Sequence, residues 1–141
     1  MNSENNTEFQ KLKRRNQVKF KVEVIPEKGR GLVATENIAK GELVESSPVL
    51  KLPLFKASDS ALATQLDRYV YFWTSDKFAL ALGYGSLINH DDNPNLVFKP
   101  DLNNDKINYY ASRDIPKDEE FTIDYGRCIS IEEKQLAKEI D

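Results

Sequence analysis

Three short stretches of the chain combine residue types that can do chemistry: Lys28-Gly29-Arg30-Gly31, residues 83–95, and residues 119–126. Glycines 29 and 31 allow the main chain to approach a ligand closely and to present its N–H groups, although a hairpin turn that needs positive φ uses glycine in the same way. Asn89-His90, followed by Asp91-Asp92-Asn93-Pro94-Asn95, is denser in hydrogen-bonding groups than a connecting loop requires. Such a run can recognise a polar cofactor through amide and main-chain groups, and an Asx-rich turn is the simpler alternative. Tyr125 stands between an Asp and a Gly just beyond an apolar segment, where a phenol can reach a reacting group. Other chemistries fit less well. His90, Asp91 and Asp92 are neighbours that converge poorly on one ion. One Cys and one His cannot build a zinc site, so no metal is expected. A Cys128–His90 nucleophilic pair lacks an orienting third residue and any sign of an oxyanion hole.

The elements that must hold these residues read as mostly β. Residues 19–24 alternate apolar and charged, as a half-buried strand does, and the turn at 26–31 breaks them. Residues 32–34 and 42–45 read as short strands, 48–54 as another, and 78–82 as a further one. Residues 96–98 and 107–111 flank a turn-rich loop as a hairpin, and 121–123 form the last strand. Leu62, Leu66, Tyr69 and Val70 fall at helical spacing, which places one amphipathic helix over 58–69. Ser130 with Glu133 opens a short C-terminal helix by a capping box. One internal repeat is visible: residues 34–43 resemble 111–121 and suggest two copies of a strand-turn-strand unit.

With 141 residues there is room for one core and not for two ordinary domains. The expected organisation is an arm over 1–17, a domain over 18–127 and the C-terminal helix over 128–141. The net charge of −3 argues against nucleic acid as the main ligand, and an acidic face would suit a basic peptide. The cluster Lys11, Lys13, Arg14 and Arg15 reads as part of a solvated arm, with nuclear import or nucleic-acid contact as its alternative. The single Cys excludes an intrachain disulfide. No apolar run reaches the length of a membrane span and the start lacks a signal-peptide core, so a cytoplasmic location is expected, or a nuclear one at chromatin.

Taken in order, the three stretches resemble the SET-domain protein lysine methyltransferases, which show a K-G-x-G-like turn, a GSLINH-like stretch followed by x-P-N, and an EE-F/L-x-x-x-Y-G ending. The resemblance spans roughly residues 19–126, and is strongest to compact viral and bacterial members. It implies a β-clip fold of several small sheets, few short helices and a knot-like C-terminal segment that joins the second and third stretches. It also implies transfer of a methyl group from S-adenosylmethionine to lysine side chains of a protein, a histone tail or another basic protein. Lys28, Gly29, Arg30 and Gly31 would hold the methionine part of the cofactor, with Arg30 near its carboxylate. Asn89 would bind its amino end and the His90 main chain its adenine edge. Tyr69 would border both cofactor and substrate. Tyr125 would be the catalytic tyrosine, and Tyr69, Tyr84, Ile123 and Tyr125 would line the lysine channel. Asp91 stands where Ser or Cys is usual, Ser86-Leu87 where Arg-Phe is common, and no aromatic residue follows Tyr125. That last gap suggests that aliphatic groups of the C-terminal helix, or a second subunit in a homodimer, complete the pocket. Two other classes compete with an active enzyme: a SET-like domain that binds peptides without turnover, and a β-rich carbohydrate- or nucleic-acid-binding domain. The latter leaves the Asn-His and Asp-Tyr-Gly segments unexplained.

Overall fold

The computed structural model describes residues 18–54, 66 and 69–125. Nine strands run through them: β1 (Phe20–Ile25), β2 (Gly29–Ala34), β3 (Leu43–Pro53), β4 (Val70–Thr74), β5 (Lys77–Ala81), β6 (Asn89–His90), β7 (Leu96–Asp101), β8 (Lys106–Ala111) and β9 (Thr122–Ile123). They form three sheets, a β1–β2 hairpin, a five-stranded sheet in the order β4-β5-β3-β8-β7, and a two-stranded parallel pair β6–β9. Among the described residues, a 3-10 turn spans Gly85–Leu87 and Leu66 is helical. The domain is therefore mostly β, as expected, with several small sheets. The expected arm at 1–17, the helix over 58–69 apart from residues 66 and 69, and the C-terminal helix lie outside the described residues.

Two expectations need correction. The separate strands expected at 42–45 and 48–54 merge into one strand of 11 residues, β3 (Leu43–Pro53), which pairs with β8 through its first half and with β5 through its second. Pro48 does not interrupt it because its carbonyl accepts from Leu82 at the end of the β5 ladder. A residue's N–H and C=O point to the same side of a strand, so the missing donor falls where pairing is already ending. Val70, assigned to helical spacing, instead opens β4. There Tyr71 and Trp73 enter the core while Phe72 faces outward, so the apolar residues are consecutive and their period of two is hidden.

The core gathers Leu32, Ile38, Trp73, Ile88, Leu96, Ile107, Tyr109, Ile115, Phe121 and Ile123, all nearly without solvent contact. Tyr71 and Tyr109 satisfy their buried hydroxyls partly on each other, at 2.8 Å.

The repeat seen in the sequence is a paired structure. Ala34 and Ala111 stand at equivalent places: Ala34 donates to Glu119 and accepts from Asp118, and Ala111 donates to Glu42 and accepts from Gly41. Ile38 and Ile115 exchange both of their main-chain bonds at 2.8 Å. Asn37 and Asp114 cap the other copy's turn, accepting from the N–H of Lys117 and Lys40. Each of these bonds of one copy has its counterpart in the other, which describes a local two-fold relation. A shallow cleft of about 460 Å³ lies on that axis, lined by Asn37, Ile38, Ala39, Asp114, Ile115 and Pro116.

Candidate functional site

The second copy of the repeat delivers the chain into β9, and β9 brings the distant stretches together. Parallel pairing sets Asn89 opposite Thr122 and His90 opposite Ile123, and Asp91 donates to the Ile123 carbonyl at 3.0 Å. On its other side the same segment meets β2, where Val33 bridges Glu120 and Phe121 donates to Leu32. All three stretches singled out in the sequence thus converge on residues 119–125.

At the meeting point Asn89 directs its side-chain amide inward. Nδ2 donates to the Arg30 carbonyl at 3.1 Å and to Glu120 Oε2 at 2.7 Å. The other Glu120 oxygen accepts from Lys28 Nζ at 3.1 Å, and only 16% of the Glu120 side chain is exposed. Gly31 makes this possible. A Cβ there would come within 2.7 Å of Asn89 Nδ2, Glu120 Oε2 and Ile25 Cγ1, closer than real Cβ contacts allow. Gly29 acts differently, for it sits at φ +85° in the hairpin turn with open space around the missing Cβ.

Tyr125 is 46% exposed, and its hydroxyl donates to the Ile88 carbonyl at 2.7 Å. Its main-chain N–H donates to His90 Nδ1 at 2.9 Å, and the two rings lie 5.2 Å apart. Because Nδ1 accepts, the hydrogen of the neutral ring resides on Nε2, which donates to Asp92 at 2.8 Å. His90 therefore locks the tyrosine's main chain as well as pairing with β9.

The remaining residues expected at the site are placed less uniformly. Tyr84 is anchored through its N–H to Glu45 Oε2 at 2.9 Å and packs its ring edge on Phe20, with 43% exposure. Phe20 in turn meets Phe121. The exposed Tyr69, just before β4, shares no hydrogen bond or ring contact with the others among the described residues; its N–H donates to Leu66. Ile123 is buried within the core. Arg30 contributes its carbonyl and leaves its side chain on an exposed position.

Part of the polar run after Asn89 serves the fold. Asn95, 1% exposed, clamps the final segment by donating to Glu119 Oε2 and the Glu120 carbonyl and accepting from the Thr122 N–H. Asp91 caps the turn at Asn93. Sequence reasoning passed over Glu120, and the repeat carried a signal for it: Leu43 holds the matching position of the first copy.

The SET domain family matches residues 29–126. The histone-lysine N-methyltransferase specific for H3 lysine-37 of Schizosaccharomyces pombe is 40% identical over 107 residues, covering 76% of this chain and 73% of the relative. Among solved structures, a Plasmodium falciparum protein assigned as a histone methyltransferase superposes with a TM-score of 0.63 at 29% identity, over 79% of this chain and 96% of that one. With the family covering most of the chain, and its three stretches joined at one point of the fold, the protein belongs to the SET-domain family.

Proposed function

We propose that the protein is a lysine methyltransferase that uses S-adenosylmethionine and acts on a lysine of a histone tail or a similar basic protein. The observation that carries this reading is the clamped Tyr125, whose hydroxyl is fixed one residue from Asn89 and whose main chain is fixed by His90. The catalytic unit is taken as residues 18–127.

The residues present fit the cofactor. Both donors of the Asn89 amide are committed to acceptors, which leaves Oδ1 as an acceptor for an ammonium. The turn 28–31 offers main-chain groups beside it. When bound, S-adenosylmethionine supplies an electrophilic methyl on a sulfonium, with a neutral thioether as leaving group.

The protein's own part is proton control and alignment. A lysine amine with pKa near 10.4 must lose its proton, at about 4.6 kcal/mol near pH 7, and apolar walls lower that cost by disfavouring the ammonium. Tyr125 has committed its proton to Ile88, so its oxygen meets an incoming N–H or polarised C–H as an acceptor. Holding amine and methyl in line is the main requirement of the displacement. Asp91 and Asp92 are exposed next to Asn89-His90, and their charge favours a cationic peptide.

Incubation with radiolabelled S-adenosylmethionine and histones should label the histone. Absence of label from a folded protein that still binds the cofactor product would leave a peptide-binding module instead. Ile123 is smaller than the aromatic residues common at its place and has no hydroxyl to hold a water. Mass spectrometry at completion should accordingly show di- or trimethyllysine, and monomethyllysine alone, unchanged by Ile123→Ala, would refute this. The relatives' substrates point to a nuclear location at chromatin. A homodimer, decided by sedimentation, would supply an aromatic wall that residues 126–141 do not carry.

A further inference from the structure

We infer that Glu120 is a positioning residue that sets the orientation of the Asn89 amide, and thereby gives the site its selectivity for a ligand carrying an α-ammonium group. The inference rests on the proposed cofactor reading and adds to it a residue outside the ligand's own contacts. An amide side chain can rotate so that its oxygen and nitrogen exchange places, and only its partners decide between the two. Here both partners, the Arg30 carbonyl and the Glu120 carboxylate, can only accept, so the atom facing them must be the NH2 group. Both of its hydrogens are then spent, and Oδ1 accepts nothing among the described residues. An amide held this way presents a fixed acceptor, which suits a cationic N–H donor and disfavours an anionic or purely apolar group.

Arg30 alone would hold only one hydrogen. Glu120 supplies the second anchor and, being an anion, the stronger of the two, with Lys28 on its far oxygen to keep that carboxylate in place. Gly31 leaves the space in which the three groups meet. The first copy of the repeat shows what is absent when this position has no such task, for Leu43 is half exposed.

Calorimetry on the full chain tests this with two probes, S-adenosylhomocysteine and its analogue lacking the α-amino group. The wild type should prefer the amino compound by about tenfold or more. In Glu120→Ala the preference should fall to about twofold, while affinity for the deaminated analogue changes by less than about threefold. Glu120→Gln, whose amide oxygen can still accept from Asn89, should keep most of the preference. If Glu120→Gln loses it as fully as Glu120→Ala, the carboxylate's charge acts directly on the ligand and the positioning role is overturned. A folded Glu120→Ala with the wild-type preference overturns it equally. A wild type that binds both probes alike overturns the inference and leaves the cofactor reading standing, whereas binding of neither removes that reading itself. Nuclear magnetic resonance of the ligand-free wild type gives a test that needs no Glu120 variant, the Asn89 signal being assigned by its loss in Asn89→Ala. The Asn89 side-chain amide protons should be shifted downfield and exchange slowly with solvent; rapidly exchanging, unshifted protons would overturn the inference.

Discussion

The two copies of the repeat share their main-chain bonds and do different work. The first, residues 34–43, runs into β3, whose 11 residues join two halves of the five-stranded sheet. The second, residues 111–121, runs into the two-residue β9 and onward to Tyr125. At matched positions Gly41 and Asp118 both take positive φ, +87° and +74°, and Val44 and Phe121 both point into the core. The copies part at Leu43 and Glu120, the one half exposed, the other tied to Asn89 and Lys28. A turn unit whose bonds are exchanged with its own second copy can thus be used twice, and the position held by Leu43 and Glu120 separates a sheet-building copy from a site-building one.

The deepest break should come at the residue only the second copy delivers. Tyr125→Phe is expected to lower turnover by about a hundredfold or more while cofactor affinity stays within about twofold, because it deletes only the orienting hydroxyl. Survival of turnover within about twofold would make Tyr125 structural.

Exchanging the position at which the copies part should sharpen the contrast. Glu120→Leu takes an acceptor from the partly buried Asn89 amide and the counter-charge from the exposed Lys28, and is expected to cost about 1 kcal/mol in denaturant unfolding. Leu43→Glu, on an exposed position, should stay within about 0.5 kcal/mol. Equal costs would mean that the copies are not functionally distinct.

The shared left-handed turn offers a smaller effect of opposite sign in each copy. Asp118→Gly should stabilise by roughly 0.5 kcal/mol and Gly41→Ala destabilise by roughly 1 kcal/mol, since only glycine takes positive φ at no steric cost. Thermal melts would detect both.

The smallest difference is electrostatic. Glu42 is hydrogen-bonded to Lys19, which holds its carboxyl below the ordinary value of 4.5. The stabilisation is present above that pH and lost as pH falls through the lowered folded value. Melts of Glu42→Gln should lie a few tenths of a kcal/mol below wild type at pH 7, the size expected of a pair that water still reaches, and merge with it in acid. A gap that persists in acid would assign the effect to packing.

Much of this was legible in advance. The alternation in β8 is the pattern that one face of water imposes on a strand, and it appears in the sequence as such, whereas the alternation in β1 marks a strand largely exposed on both faces beyond Phe20, with Val24 80% exposed. β4 was hidden because Val70, Tyr71, Phe72 and Trp73 are apolar on both faces. The unity of β3 was hidden because Ser46, Ser47 and Pro48 look like a turn, whereas Ser47 is buried and bonded to Glu45 and Gly85. At the site, residue types marked the three stretches but not their division of labour. Asn89 and Asn95 are the same residue six positions apart, and only the fold shows that one retains an unused acceptor while the other spends its amide on residues 119–122. Glu120 looked like one charge among several near a turn.

Lys28 and Glu120 are 92 residues apart in the chain, and so the site depends on the closing of a very long loop. Local units such as the β1–β2 and β7–β8 hairpins can form as soon as their own residues are available. The junction around Asn89 cannot, because its last partners, Glu120 and Thr122, come from the C-terminal end of the described residues. Long-range pairings of this kind form late and slow the overall rate. During synthesis, then, a growing chain would carry much of its sheet structure before it could hold a ligand at Asn89. Ligand binding should therefore report completed folding, and a chain stopped before residue 119 should retain hairpins yet have no capacity to bind.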